Sequence, residues 1–279
     1  MKAEINRILP FSSVDGPGNR TAVFLQGCNI DCKYCHNPET RHLCRGCGVC
    51  VPACPTGALK AGGDRPEYEE SLCVGCDTCI RICPYGSSPK TRQMTPEEVF
   101  RVVSRQIPFI RGVTVSGGEC MLWPEFVRQL FELSKKAGLS TLMDSNGTLP
   151  FWEYPGLMEV TDGVMLDIKA YAEADHRAIT GFGNETVLEN ARYLSEISKL
   201  TEIRTVVVQE LYDAVKSTEQ TVDFLQESLQ GKDVRIKIIA YRPMGVRKEY
   251  SHYRVPDRAL LECLAELWRR GGFYNIVIT

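Results

Sequence analysis

The sequence carries almost no net charge, −2 over 279 residues, which argues against a general electrostatic attraction to nucleic acid or to anionic membranes. No uninterrupted apolar run is long enough to cross a bilayer. Met1-Lys2-Ala3-Glu4-Ile5-Asn6 lacks the apolar stretch of a signal peptide. Together these predict a cytoplasmic chain with no nucleic-acid and no membrane partner. A disulfide framework is disfavoured as well, because thirteen cysteines is an odd number and the cytosol is reducing. The most informative absence is a single ligand. Cys28-Asn-Ile-Asp-Cys32-Lys-Tyr-Cys35 crowds three cysteines into one loop, and His36-Asn37-Pro38 stands where a fourth would be. Three soft thiolates suit zinc or an iron–sulfur cluster. On a cubane, three protein ligands leave one iron open, as in a catalytic metal site rather than a closed structural one.

What is present is ordinary in bulk: 43% apolar and 24% charged residues, enough for one large core with a small satellite. Eleven of the cysteines fall into three tight groups, which reads as metal ligation. From 40 to 89 the texture turns to short segments rich in Cys, Gly and Pro, and one pattern occurs twice. Cys44-x2-Cys47-x2-Cys50-x3-Cys54-Pro55 is followed by Cys73-x2-Cys76-x2-Cys79-x3-Cys83-Pro84. This is the spacing of bacterial ferredoxin runs, in which the fourth cysteine of each run ligates the other cluster. It assigns Cys44, Cys47, Cys50 and Cys83 to one [4Fe–4S] cluster, and Cys73, Cys76, Cys79 and Cys54 to a second. Paired zinc knuckles would also use Cys-x2-Cys, but would leave the third cysteine and the Cys-Pro ending of each run unexplained.

Elsewhere strands alternate with helices, the mark of parallel βα units. Residues 7–20 read as an irregular lead-in with a turn at Asp15-Gly16-Pro17-Gly18. Strands are expected at 21–27, 112–116, 140–144, 164–169, 203–209 and 234–240, with 273–278 as a candidate last one. Helices are expected from the Thr95-Pro96-Glu97-Glu98 start, at about 124–137, 186–199 and 218–229 (opened by Ser217), and after a cap at Asp257. The predicted fold is α/β: a partial (β/α)6 TIM-like barrel built from 1–39 and 90–279, with an inserted bacterial-type 2[4Fe–4S] ferredoxin domain over 40–89. Six strands are too few to close an eight-stranded barrel.

Active sites of such folds lie at the C-terminal ends of the strands, and the polar motifs fall there. They are the Cys28–Cys35 loop, Gly117-Gly118-Glu119, Asp144-Ser145-Asn146-Gly147, Asp167-Ile168-Lys169 and Arg242. Alternation along 164–169 puts Val164, Leu166 and Ile168 on one face and Met165, Asp167 and Lys169 on the other. A buried carboxylate and ammonium must bind each other, an ion or a polar ligand; a structural salt bridge closing the barrel is the plainer alternative. Gly117-Gly118 is either a turn needing bare backbone or a place where a ligand comes close. Cys120 sits at the rim of the glycine turn. Cys263 reads as a core residue, His42, His176 and His252 as surface or structural, and Arg247, Lys248 and Arg254 as a solvated basic patch.

Cys28-x3-Cys32-x2-Cys35 with Tyr34 before the last cysteine, then Ser116-Gly117-Gly118-Glu119, resembles the radical S-adenosylmethionine superfamily. Asp15-Gly16-Pro17-Gly18-Asn19-Arg20, Cys35-His36-Asn37-Pro38, Asp144-Ser145-Asn146-Gly147 and Met165-Leu166-Asp167-Ile168-Lys169 resemble the activating enzymes of glycyl radical enzymes. With its two-cluster insert the chain looks most like their YjjW-type branch. The resemblance implies an oxidoreductase with three [4Fe–4S] clusters, two of them auxiliary. One electron at the cluster of Cys28, Cys32 and Cys35 would cleave S-adenosylmethionine to a 5′-deoxyadenosyl radical, which takes hydrogen from a glycine Cα of a partner glycyl radical enzyme. It further implies an electron donor such as flavodoxin or ferredoxin, and a monomer. Tyr34, Cys35 and His36 would border the adenine, and Gly118 would meet the methionyl amino group. Asp167 and Lys169 would contact the carboxylate and ribose region, and Gly117, Glu119, Asp144, Ser145 and Ile168 belong to the same cosubstrate-binding set. Asp144, Ser145, Met165 and Asp167 match a monovalent-cation site. Arg242 stands where the best-known relative has a histidine that meets the cosubstrate. Arg204 matches a family arginine or serves a structural ion pair. The alternatives are a radical enzyme acting on a small molecule or peptide, and a ferredoxin-type electron carrier.

Overall fold

The computed structural model describes residues Met1–Thr279. The chain opens with β1 (Ala3–Ser12) and β2 (Arg20–Leu25) and then leaves the main sheet for a segment carrying β3 (Leu59–Lys60), β4 (Glu67–Tyr68) and α1 (Thr78–Arg81). It returns with β5 (Arg92–Met94) and α2 (Pro96–Ser104), followed by β6 (Gly112–Gly117), α3 (Pro124–Lys136), β7 (Ser140–Ser145), α4 (Pro155–Val160) and β8 (Gly163–Asp167). Then come α5 (Glu173–Thr180), α6 (Glu185–Glu196), β9 (Leu200–Val207), α7 (Ala214–Leu229), β10 (Arg235–Ala240), α8 (Arg258–Arg270) and β11 (Ile276–Ile278).

One sheet runs β11-β10-β9-β8-β7-β6-β2-β1-β5. From β2 to β11 every neighbouring pair is parallel, because a helix separates each strand from the next. The six expected parallel strands are all there, in sequence order as in a barrel, and β11 extends them. β6 and β8 are buried along almost their whole length, as strands covered on both faces must be. The core gathers Val99 and Val103 of α2, Phe126 and Leu130 of α3, and Leu261 and Leu264 of α8 against the sheet.

Three details differ from the sequence reading. Residues 3–12 form a strand rather than an irregular lead-in, held between β2 and β5 by antiparallel pairing. Pro10 disguises it: the proline sits where the β1–β2 register shifts, between Leu9 and Ser12, the kind of bulge that tolerates proline. α7 begins at Ala214, before Ser217, because Asp213 is the cap and accepts from Lys216 N at 3.0 Å. Cys263 is exposed, since α8 turns Leu261, Leu264, Ala265 and Trp268 inward. The capping box at Thr95 and Glu98 forms as expected, with bonds of 3.2 and 2.8 Å.

Candidate functional site

β2 ends at Leu25, and the chain turns through Gly27 at φ +106° into the three-cysteine loop. Backbone bonds hold this loop in place of regular structure. Gly27 N donates to Thr40 O at 2.7 Å, Cys28 N to Arg41 O at 2.8 Å, and Asp31 N and Lys33 N to the last carbonyls of α5 at 2.8 and 3.0 Å. From outside, Arg247 pairs with Asp31 and donates to Cys32 O at 3.1 Å, while Arg41 also pairs with Asp31. Arg247 therefore clamps the loop and is not part of a solvated basic patch; Lys248 and Arg254 are exposed.

Cys28, Cys32 and Cys35 line one cavity of about 270 Å³. Gly117 and Gly118 reach it from the end of β6, Asp144 and Ser145 from β7, Asp167 and Lys169 from the end of β8, and Tyr34 and His36 from the loop itself. Burial pushes the Cys28 and Cys32 thiols up to about 11 and Cys35 in the same direction. A soft metal group taking them as thiolates must therefore displace protons. The Lys169 ammonium is 7% exposed and bonds Asp167 Oδ2 at 2.8 Å. Burial is the largest influence and would lower its pKa, but the charge and hydrogen bond of Asp167, together with the acidic groups of Cys32 and Tyr34, hold it above the ordinary value. Tyr34 is 4% exposed, and its hydroxyl is buried without a hydrogen-bond partner. A satisfied interior rarely leaves a hydroxyl so; the ring forms part of the cavity wall while the oxygen itself is closed off from it.

Beside the cavity runs a row of buried charges. Arg204 bonds Asp144 Oδ2 at 2.8 Å and pairs with Glu202, which also meets Arg235 at 3.3 Å. Burial raises the Asp144 carboxyl pKa against the pull of Arg204. Arg204 thus sits in a structural ion pair and does not line the cavity.

Four expected site residues lie off the cavity wall. The Glu119 carboxylate is buried behind it and ties the β6 loop to β7, accepting from Met121 N (2.9 Å), Ser145 Oγ (2.8 Å) and Asn146 N (2.7 Å). Ile168 packs in the core, and the Met165 sulfur faces Arg204 Nη2 at 3.0 Å. Arg242 is exposed, and its contact with the site is its carbonyl, 3.1 Å from His36 Nε2. The two glycines have a packing reason. A Cβ on Gly117 would lie 2.2 Å from Leu25 N, and one on Gly118 2.0 Å from Gly27 O. The bare backbone lets β6 approach the cysteine loop. Cys120 is fully buried and donates toward Asp144 O at 3.4 Å.

The sequence reading assigned no role to Asn37, Arg41, Ser116 or Asn146, which also line the cavity. Asn146 carried a signal: it belongs to the polar motif 144–147 at the C-terminal end of a barrel strand, where the sequence reading named the motif but gave Asn146 no role of its own.

The inserted segment has its own small core of Cys50, Leu59 and Cys79 and its own two-stranded sheet. Its two cysteine runs share a backbone. Gly46, Gly48 and Gly57 have φ of +68°, +73° and +68°, and at the matching positions Gly75, Asp77 and Gly86 have +68°, +55° and +59°. Asp77, one of only two non-glycine residues with positive φ, is held left-handed where the first run has glycine. Cys54, Cys73, Cys76 and Cys79 line a second, smaller cavity. Cys54 is already drawn down to about 7 by backbone N–H groups, that of Thr56 first, then Leu59 and Ala58. No three His, Cys, Asp or Glu side chains are drawn together tightly enough to grip a single ion; these cysteines stand around a hollow.

The profile of the Radical SAM superfamily matches residues 22–225. The pyruvate formate-lyase-activating enzyme of Streptococcus mutans is 33% identical over 86% of this chain and 78% of that protein. The choline trimethylamine-lyase activating enzyme of Oleidesulfovibrio alaskensis is 32% identical over 88% and 86%. In fold the chain is similar to QueE from Escherichia coli, with a TM-score of 0.57 at 16% identity, over 100% of this chain and 94% of that one. The chain belongs to the radical S-adenosylmethionine superfamily, and within it to the activating enzymes of glycyl radical enzymes. Membership implies a [4Fe–4S] cluster and S-adenosylmethionine, and the three-thiol wall with the buried Lys169 ammonium beside it fits them. No helix is long and apolar enough to cross a membrane.

Proposed function

We propose that this chain generates a radical on a glycine Cα of a partner glycyl radical enzyme, using a cluster held by Cys28, Cys32 and Cys35. The observation that carries the reading is that these three cysteines share one cavity wall with Asp144, Asp167, Lys169 and Gly118, while no other cysteine lines it. Bound there, the cluster would supply the electron that splits S-adenosylmethionine into methionine and the 5′-deoxyadenosyl radical that takes the glycine hydrogen. The chain's own residues hold and orient. Lys169, fixed by Asp167, offers a cation to the cosubstrate's carboxylate; the Tyr34 ring forms part of the wall; Gly118 lets backbone come close. Asp144 Oδ2 is engaged by Ser116 and Arg204, so a monovalent cation shared with Asp167 would have to use Oδ1.

The reading extends to two auxiliary clusters, one on Cys44, Cys47, Cys50 and Cys83 and one on Cys54, Cys73, Cys76 and Cys79, fed by a flavodoxin- or ferredoxin-like donor. The second set is supported by its shared cavity, and both by the repeated left-handed positions. An electron relay through the first set is supported by the seam between insert and barrel. Arg41, just ahead of Cys44, accepts from Cys28 N, and His42 O accepts from Gln26 Nε2 at 2.8 Å and Ser87 Oγ at 2.7 Å. The insert is also what favours the YjjW-type branch, and a monomer is part of the same reading.

The test is chemical. With dithionite and S-adenosylmethionine the reconstituted chain should release 5′-deoxyadenosine, and on mixing with its partner should give a glycyl doublet in electron paramagnetic resonance. Cys28→Ala, Cys32→Ala or Cys35→Ala should abolish cleavage while leaving about eight irons per chain, by cluster stoichiometry. Cleavage by any of the three variants would end the assignment.

A further inference from the structure

We propose that Asn146 donates a hydrogen bond to the Cys28 sulfur and thereby sets the potential of the cluster that S-adenosylmethionine binds. The inference rests on Cys28 being a cluster ligand.

Asn146 is 6% exposed, so all four hydrogen-bonding positions of its amide need partners. Its Oδ1 accepts from Thr148 N at 2.9 Å and from Thr148 Oγ1 at 2.6 Å. A backbone N–H can only donate, so the atom facing Thr148 N is the oxygen, and the amide cannot be flipped. The nitrogen therefore points the other way, where Nδ2 meets Asn29 Oδ1 at 3.1 Å and Cys28 Sγ at 3.7 Å. Asn29 closes the ring by donating to Thr148 Oγ1 at 2.7 Å. One amide proton is spent on Asn29, and the sulfur is the acceptor for the other.

The backbone beneath is equally fixed. Asn146 N is held by Glu119, and Gly147 N by Ser145 Oγ at 3.0 Å. Asn190 of α6 donates to Gly147 O at 2.7 Å. The amide is aimed before any cluster is present.

Adding an electron to a cluster adds negative charge, part of which resides on its sulfurs. A donor on a ligating sulfur stabilises that reduced state, and hydrogen bonds to sulfur are among the determinants of cluster potential. Losing the donor makes the cluster harder to reduce.

The experiment is a redox titration of the full reconstituted chain, followed by electron paramagnetic resonance. The cluster of interest is the one whose signal changes on adding S-adenosylmethionine. In Asn146→Leu its midpoint should move negative, so that at a fixed potential the ratio of reduced to oxidised cluster falls about three- to tenfold. A tenfold change corresponds to 59 mV for one electron. The other signals should keep their midpoints, which a general loosening of the fold would not allow. Should Asn146→Leu lose iron, Thr148→Val, which frees the amide without touching sulfur, should shift the same midpoint in the same direction by less. An unchanged midpoint in an iron-replete variant, or all signals moving together, overturns the inference. A wild-type chain in which no signal responds to S-adenosylmethionine would instead overturn the reading of the site itself.

Discussion

Replacing Arg204 by methionine probes the costliest arrangement in the barrel. The guanidinium spans from β9 across Met165 of β8 to Asp144 of β7 and also pairs with Glu202. The side chains of Arg204, Asp144 and Glu202 are 10%, 17% and 4% exposed. Methionine refills the volume of the stem but leaves two carboxylates in low dielectric. Asp144 keeps only the Ser116 hydroxyl at 2.9 Å, whereas Glu202 keeps Arg235 at 3.3 Å. Breaking one buried pair costs about 3–5 kcal/mol, and because Glu202 retains a cation the total should stay near that figure. Against a total stability of about 5–15 kcal/mol this is a large loss, worth roughly 6–20 °C in Tm at 2–4 °C per kcal/mol.

The pH dependence follows from the same geometry. Burial already raises the Asp144 pKa and Arg204 opposes it; without Arg204 it rises further. Protonation then neutralises the stranded group, so the deficit of the variant should be largest above pH 7 and shrink toward pH 5. Urea unfolding of wild type and Arg204→Met at both pH values measures it. A loss below about 1 kcal/mol at neutral pH, or an equal loss at both, would refute the argument that the row is held by charge compensation.

Two further outcomes follow, one from a buried group and one from a close backbone approach. His176 is fully buried, with Nδ1 bonded to Phe182 O at 2.7 Å and Nε2 without a partner; burial lowers its pKa below 6.5. The unfolded chain therefore takes up a proton first as pH falls. Stability present above about pH 6.5 should drain away below it, by at most about 1.4 kcal/mol per pH unit. His176→Asn should flatten that part of the curve, and an unchanged slope would clear His176 of the effect. In Gly118→Ala the new Cβ would meet Gly27 O at 2.0 Å, Gly27 C at 2.5 Å and Thr40 O at 3.0 Å, all backbone. The variant should lose several kcal/mol, in the range of buried strain and overpacking, together with the irons of the three-cysteine loop. Gly63→Ala, with nothing within 4 Å, should lose neither.

The parallel strands were legible because each is a short apolar run bounded by turn residues, and the helices because their caps are local. β1 was not, since its partners lie far along the chain and Pro10 reads as a breaker when the bulge that houses it cannot be seen. Cys263 shows the limit of residue type: only the phase of α8 against the sheet says which face a small apolar side chain takes. In the site, Asp167 and Lys169 were legible from alternation along β8. The double glycine was legible as a need for bare backbone, but what approaches it is the chain itself. Arg247 could not be found, because its partner Asp31 is 216 residues away and nothing local distinguishes it from a surface arginine. Asn146 was passed over for a related reason. Asn-Gly at a strand end is a turn signal, and its amide acquires meaning only from Thr148, Asn29 and the Cys28 sulfur together.

The exposures of the cysteines suit the division of labour proposed above, with the radical centre in the barrel and electron carriers in the insert. Cys32 is buried, and Cys28 and Cys35 are half-buried on the cavity wall, whereas Cys47 and Cys76 of the insert are exposed. A centre that only passes electrons gains from lying near the surface, where a donor can approach. One that opens a carbon radical gains from walls that exclude water and stray hydrogen donors. The insert joins the barrel beside the cysteine loop, where Arg41 O accepts from Cys28 N and His42 O from Gln26 Nε2; on the proposed reading an electron would arrive there, at the loop whose three cysteines line the cavity.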